Sequence, residues 1–408
     1  MMKKIAVIGA GVTGLTIGRL LKERYDVTVL EKNKEVGGIA RTKNVKGTTY
    51  HKVGGHCFNS KNKEVMEFVF NQVLPKSEWH YVEREAKIFF HNNLISYPIE
   101  FSIKEIFDFD EQLAFNITRD FLSSKEKEVG NLEEWFVQKF GSTLAKEYFI
   151  PYNKKIWGME PKDMDYTWVK DKLPVPNKND FFKSLIGDNK DSMPHSTFYY
   201  PNSNSQNTFV EALGGNVRVV NNYEVLSIKK TREGWLLNDE DEYSLVINTM
   251  PLNLIPNLID GTPNNILDHA RKLKYNKVTN MLWKTKPVSG TWSYDPSPDT
   301  IFHRHIHIGN FFVPCELTTI TECIGEYTYE EMVKEGRKFD YLLEPLDYNV
   351  SKHAYVLYDE NHKESSSILK QYMKKIGIPT IGRFGEWEYY NMDICIERAI
   401  SLAKEIKL

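Results

Sequence analysis

The first thirty residues confine the chain to one kind of opening unit. Lys4-Ile5-Ala6-Val7-Ile8 reads as a short buried strand, followed by Gly9-Ala10-Gly11-Val12-Thr13-Gly14 and a helix to about Arg24. A second strand, Asp26–Leu30, ends at Glu31. Strand, G-x-G-x-x-G, helix, strand and acid make the dinucleotide-binding βαβ pattern. Gly9 permits the tight turn, Gly11 lets a pyrophosphate approach the backbone, and Gly14 lets helix and strand pack closely. The helix N-terminus offers free N–H groups and partial positive charge to a diphosphate. Glu31 stands where an acid accepts ribose hydroxyls.

The remaining bulk properties mainly exclude. At 408 residues with 41% apolar and 13% aromatic content, the chain can bury a sizeable core and suggests two or three domains. A formal charge of −2 gives no reason to expect a nucleic-acid partner. The four cysteines (Cys57, Cys315, Cys323, Cys395) are scattered, which argues for reduced thiols rather than a disulfide framework or a zinc site. Met1-Met2-Lys3-Lys4 and the apolar run after it imitate a signal peptide, but Gly9, Gly11, Gly14 and Gly18 interrupt that run. No stretch reaches the roughly 18 apolar residues of a spanning helix. A cytoplasmic protein without a membrane partner is the expectation.

Further glycines follow closely: Gly37-Gly38, then Arg41-Thr42, then Gly54-Gly55-His56. They suggest backbone laid along a long ligand, with Arg41 available to its pyrophosphate, although glycine pairs also mark ordinary loops. The pattern resembles the FAD-binding oxidoreductase superfamily that includes amine oxidases. FAD rather than NAD is therefore the expected resident ligand.

Residues 100–190 read as mainly helical, in segments 103–121, 131–149 and 178–187, and 208–213 reads as helix again. Strands are expected at 217–220, 223–229, 244–249, 277–283, 300–308, 319–326 and 353–358. A last helix starts at about Met392, with Asn391 placed to cap it through its side-chain oxygen. The fold class is α/β. A discontinuous Rossmann-like FAD-binding domain (1–60, 205–255, 380–408) would carry a helical insert (100–195) and an antiparallel-sheet substrate domain (61–99, 260–375).

Three aromatic-rich clusters stand out: Pro151-Tyr152-Asn153-Lys154-Lys155-Ile156-Trp157, the stretch Tyr294 to Arg304, and Gly382-Arg383-Phe384-Gly385-Glu386-Trp387-Glu388-Tyr389-Tyr390-Asn391-Met392-Asp393. Together with Gly54-Gly55-His56 they resemble the UDP-galactopyranose mutases, the eukaryotic type more than the usual bacterial one. The resemblance runs thinly over most of the chain. It implies an isomerase that interconverts pyranose and furanose forms of a nucleotide sugar, through N5 of a reduced flavin attacking the anomeric carbon, with NADH or NADPH as a reductant. Splitting one difficult step through a covalent intermediate is the gain in such chemistry.

The resemblance also assigns residues. Arg304, Lys172 and His56 stand at catalytic positions. Gly9, Gly11, Val12, Thr13, Gly14, Glu31, Lys32, Gly38, Arg41, Gly55, His56, Val225, Asn391 and Met392 would hold the cofactor. Arg84, Tyr97, Asn153, Trp157, Lys172, Tyr294, Arg304, Tyr355 and Tyr389 would meet the nucleotide-diphosphate sugar, with Arg84 linked to a reduced nicotinamide cofactor. Lys172 stands where the family has arginine, keeping the charge and losing the bidentate fork. Alternation places Phe302, Arg304, Ile306 and Ile308 on one face, where a buried guanidinium needs an anion, either the substrate or an internal carboxylate. His303, His305 and His307 fall opposite, as a solvated face or a metal site, the former being expected and no metal being required. Trp157 and His56 could equally be ordinary packing residues.

Two places depart from the family pattern. Its uracil site carries Tyr-Pro-Phe-Gln, and here the run is Tyr97-Pro98-Ile99-Glu100. An ionised carboxylate accepts hydrogen bonds but cannot donate, whereas an amide does both, so base recognition is expected to differ. The glycine pair after the Tyr-Pro stretch is replaced in Tyr200-Pro201-Asn202-Ser203-Asn204-Ser205-Gln206, which would put side chains where backbone normally borders flavin or sugar. Two rival readings follow: an FAD oxidoreductase of the amine-oxidase or desaturase kind on an anionic or sugar-nucleotide substrate, and a non-catalytic flavoprotein. Sugar, base and oligomeric state, including a homo-oligomer, stay open.

Overall fold

The computed structural model describes residues 2–170, 173–187 and 197–408. Its opening unit is a parallel sheet in which β1 (Lys4–Ile8) lies between β2 (Asp26–Leu30) and the strand Leu245–Asn248, with Arg218–Val220 beyond β2. Both faces are covered, so these strands are continuous apolar runs rather than alternating ones. Helix α1 (Val12–Leu21) packs on one face between Gln206–Gly214 and the last helix, Met392–Glu405. Three distant stretches of chain thus complete one layer. Val65, Phe68 and Trp79 join the same core.

A seven-stranded sheet forms the second layer. Its order is Leu342–Val356, Tyr275–Thr285, Thr318–Ile324, Arg304–Ile306, Trp292–Tyr294, Ala86–Phe90 and Asn93–Ser96, antiparallel except where Trp292–Tyr294 runs parallel to Ala86–Phe90. Helices between Ile103 and Trp157 pack against it around Trp135, Phe136, Phe140 and Phe149. The architecture is the expected α/β combination of a Rossmann-like unit, a helical insert and a large antiparallel-rich sheet.

Several boundaries moved for local reasons. α1 ends at Leu21, three residues before Arg24, and the Arg24 guanidinium instead donates to the Ala403 carbonyl at 2.6 Å. The 103–121 segment is two helices, Ile103–Phe109 and Glu111–Ser123, because Asp110 leaves helical geometry and its carboxylate accepts from the Leu113 N–H. Within 223–229 only Ile228 and Lys229 join a strand, since Asn238 Oδ1 captures the N–H groups of Leu226 and Ser227. The strand expected over 300–308 is only Arg304–Ile306, whereas that near 353–358 extends back to Leu342. Helices Asn264–Lys272, Tyr329–Gly336 and His362–Ile376 lie in regions that read as strands or gave no clear pattern. In the last, Ser365 and Ser366 occupy the buried face, and Ser365 Oγ meets His269 Nδ1 at 3.1 Å, so the apolar period is interrupted.

Candidate functional site

The glycine turn has the shape its sequence requires. Gly9 has φ +101°, and a Cβ on Gly14 would stand 1.8 Å from the Gly9 carbonyl oxygen, so neither position admits a side chain without rearrangement. A Cβ on Gly11 would meet nothing within 4 Å. The chain is therefore closely packed at two of these glycines and open beside the third. Glu31 is buried at the end of β2, its Oε2 accepting from Ala10 N at 2.9 Å and its Oε1 from Asn33 N at 2.9 Å. Those bonds hold the carboxylate beside the turn. Gly37 N donates to Ala10 O at 2.7 Å, and Gly38 lies against Gly11. This cradle fits a dinucleotide.

The other cofactor candidates are spread around it. Val225 is buried in the core near Ile8 and Leu30, and Lys32 is exposed. Arg41 donates to the Glu35 carbonyl at 2.8 Å, and its Nε has no hydrogen-bond partner. Asn391 occupies the N-cap of the last helix, but its side chain makes no capping hydrogen bond, contrary to expectation. Its carbonyl instead closes the first turn with Cys395 N at 3.1 Å, and the side chain is left free. Met392 packs with its Sδ 3.8 Å from Gln206 Nε2.

A chain of contacts links this cradle to the aromatic clusters. A Cβ on Gly382 would meet Thr13 Oγ1 at 2.3 Å, so the C-terminal loop sits directly on the start of α1. The adjacent Arg383 guanidinium lies 4.4 Å from the Tyr389 ring centroid and 5.5 Å from that of Tyr355, and donates to the carbonyls of Tyr390 and Ala354. Tyr355 and Tyr389 stack at 5.7 Å, and Trp157 meets both edge-on. Tyr355 accepts from Arg304 at 2.7 Å and donates to Glu322 Oε1 at 3.1 Å. Arg304 returns to the glycine-rich segment, because a Cβ on Gly54 would stand 2.9 Å from its Nη2.

Arg304 is ion-paired with the fully buried Glu322 at 2.6 Å. The internal carboxylate is therefore its partner in this structure. Burial pushes the Glu322 carboxyl up, but Arg304 and the neighbouring His303 outweigh it and hold it at about 2. Arg304 Nε and Glu322 Oε2 have no hydrogen-bond partner. Phe302 packs on His305 and Phe339, so the alternation proposed for 302–308 fails before Arg304.

The histidines are not solvated. His303 and His305 are fully buried and His307 nearly so. His303 Nε2 lies 3.2 Å from Glu322, His305 Nδ1 meets Tyr341 OH at 2.5 Å, and His307 bridges Ser293 and Thr319. Helix Tyr329–Gly336 and the segment reaching Tyr341 cover the side that an isolated hairpin would have left wet. Among the described residues no group of three or more His, Cys, Asp or Glu could hold a metal ion.

His56 has a buried Nε2 without a partner, and its N–H donates to His51 Nδ1 at 3.2 Å. Burial, then the charges of Arg383 and Arg304, lower it to about 4, so the imidazole is neutral. Gly55 lies against Ile306 and Trp292.

Arg84 donates to Tyr294 OH at 2.8 Å and lies over the rings of Trp292 at 5.0 Å and Tyr97 at 5.7 Å. Tyr97 and Tyr152 both pack on Tyr294. Arg84 has no carboxylate partner among the described residues, and its Nε is buried without a hydrogen bond. Trp157 Nε1 donates to Asn153 Oδ1 at 3.0 Å, and Asn153 Nδ2 donates to Phe149 O at 2.8 Å. Both side chains are thus satisfied within their own helix. Lys172 lies outside the described residues.

The two departures resolve differently. Asn202 donates to Ser77 O at 2.7 Å, and Asn204 pairs with the Val313 backbone, so these side chains hold neighbouring chain at the exposed edge. Gln206 alone turns fully inward, and its Oε1 has no partner. Glu100 is buried at 3% exposure, and burial pushes its carboxyl up to about 8. Burial is a tertiary property, invisible in the motif itself.

A family model described as an NAD(P)-binding Rossmann-like domain matches residues 7–72. The chain is 23% identical over 419 aligned residues to a dTDP-fucopyranose mutase of Escherichia coli, covering 99% of this chain and 98% of that one. It is 24% identical to a probable UDP-galactopyranose mutase of Klebsiella pneumoniae, with 99% and 94% covered. A crystal structure of reduced UDP-galactopyranose mutase superposes with a TM-score of 0.86 at 20% identity, covering 99% of this chain and 94% of that one. Along its whole length the chain is thus similar in sequence to these mutases, and it shares the fold of UDP-galactopyranose mutase.

Proposed function

We propose that the protein is a flavin-dependent mutase that interconverts the pyranose and furanose forms of a nucleotide-linked sugar. The observation that supports this reading best is the contact path from Thr13 through Gly382 and Arg383 to Tyr355, Arg304 and Gly54. It puts a cluster of guanidiniums and phenols beside the glycine-rich turn, which supports an anion-binding role. FAD would lie along Gly9–Gly14, Glu31 and Gly38, and when reduced would supply N5 as a nucleophile toward the anomeric carbon. Every other contribution is the chain's own.

The cluster holds three guanidiniums (Arg84, Arg304 and Arg383) against one carboxylate, Glu322, among the described residues. That excess favours a dianionic diphosphate over an amine or a hydrocarbon, and low-dielectric surroundings strengthen each contact as the leaving group gains charge. Arg304 would offer its free Nε edge while Glu322 and Tyr355 fix its other side. Tyr294 and Tyr389 would add neutral donors, and Lys172 a further cation. His56, neutral and with a free Nε2, would accept or donate one hydrogen bond at the reacting end.

The test is turnover of UDP- and dTDP-sugars by the purified flavoprotein with and without dithionite. The reading requires a product of unchanged mass formed only after flavin reduction. Full activity with oxidised flavin and no reductant, or stoichiometric oxidant consumption, would reject it.

A further inference from the structure

His51 is the last residue of the strand Thr48–His51, and its imidazole is fully buried. The ring stands between two groups. Its Nδ1 accepts from the His56 N–H at 3.2 Å, and its Nε2 lies 2.6 Å from Tyr200 OH. A backbone N–H can only donate, so Nδ1 must present its lone pair. Burial, then the neighbouring His56, hold the ring well below its ordinary titration range, so it is neutral and carries a single proton. That proton is therefore on Nε2 and is donated to Tyr200 OH. Tyr200 is held in turn: it is fully buried against Phe311 and Phe312, on the strand Thr197–Pro201 that pairs with Trp79–Glu83. On the other side Asn280 Nδ2 donates to the His51 carbonyl at 3.2 Å.

The loop that follows has few anchors of its own. Gly54, at φ +62°, borders Arg304, and Gly55 packs on Ile306, but neither has a side chain to bond the surroundings. At one end the Lys52 carbonyl accepts from Asn349 Nδ2 at 2.8 Å. At the other, Phe58 and Tyr199 exchange backbone hydrogen bonds at 2.7 and 3.1 Å. Of the N–H groups from Val53 to His56, only that of His56 meets an acceptor among the described residues, and the acceptor is His51. We propose that His51 is a positioning residue: held by Tyr200 as the Nε2–H tautomer, it fixes the Gly54-Gly55-His56 loop and with it the place of the His56 ring relative to Arg304. The placement of the loop stands on this geometry alone, and its consequence for turnover rests on the mutase reading above.

The first measurement is nitrogen NMR of isotope-labelled histidines in the purified protein near neutral pH. His51 should show one neutral tautomer, protonated at Nε2; protonation at Nδ1 would overturn the proposal. Tyr200→Phe removes the acceptor, so it should admit the Nδ1–H form and speed deuterium exchange of the His56 amide. No change in either would also overturn the proposal, and these two results decide it even if a His51 variant does not fold. An asparagine oxygen can stand where Nδ1 stands, so His51→Asn should keep the slow His56 exchange, whereas His51→Leu should exchange about tenfold faster. With reduced flavin and a UDP or dTDP sugar, His51→Leu should lose about tenfold in kcat with KM changed by less than about twofold, and His51→Asn should recover most of it. Equal His56 exchange in His51→Leu and wild type, or equal losses of kcat in the two His51 variants, would reject the role. Tautomer and exchange as expected, without sugar interconversion by the wild type, would leave His51 assigned and remove the mutase reading alone.

Discussion

The Arg304 guanidinium and the Glu322 carboxylate meet at 2.6 Å in the wall of the site, pressed against the Gly54 backbone and tied together by Tyr355 OH. The pair explains how a cation can stand permanently in a buried cluster before any substrate arrives. Glu322 compensates part of the charge and leaves the Nε edge of Arg304 unused. A diphosphate would add to this pair rather than replace it.

Glu322→Gln should therefore have two opposite effects. Removing one partner of a buried pair leaves the other uncompensated and costs about 3–5 kcal/mol. The same change raises the positive charge of the site, so pyrophosphate should bind the folded variant more tightly. Urea denaturation at pH 7 and calorimetry with pyrophosphate measure the two; unchanged stability would mean that the pair contributes nothing to the fold.

Acid should act on the pair in the same direction. The Glu322 carboxyl is held at about 2, below its ordinary 4.5, so its stabilisation is complete above pH 4.5 and is lost as pH falls toward 2. The wild type should lose stability over that window, and Glu322→Gln should lose less. Denaturation curves at stepped pH values separate the two proteins.

Buried histidines add an earlier acid limit. His56 and His307 are both lowered to about 4, chiefly by burial, whereas an unfolded imidazole titrates near 6.5. The unfolded chain thus binds more protons between these values, and stability should fall as pH drops from 6.5 to 4, by up to ~1.4 kcal/mol per unit for each such group. His307→Gln should flatten part of this slope. A slope identical to the wild type's would place His307 in water.

The glycines should divide by what faces them. Gly14→Ala meets the Gly9 carbonyl and should lower both thermal stability and flavin content. Gly11→Ala meets only open space, so it should fold with a melting temperature close to the wild type's while binding flavin poorly. Absorbance of bound flavin and thermal melts of the flavin-free proteins test the contrast; equal flavin content in Gly11→Ala and wild type would move the ligand away from this turn.

Strand, turn, helix and acid over residues 4–31 were legible because that unit is local. Glycine spacing and an apolar run dictate the geometry whatever else the chain does, and the aromatic clusters marked segments that the fold brings together. The sequence could not show that His303, His305 and His307 are buried, because that depends on Tyr329–Gly336 and Tyr341 covering the sheet. Nor could it show that Arg304 meets Glu322, which lies on the antiparallel neighbour strand in register with it. The identity of Glu100 was plain, but its protonation state was not. Whether a carboxyl ionises depends on how much water and how many cations surround it, and the burial of Glu100 comes from the packing of helices distant in the chain.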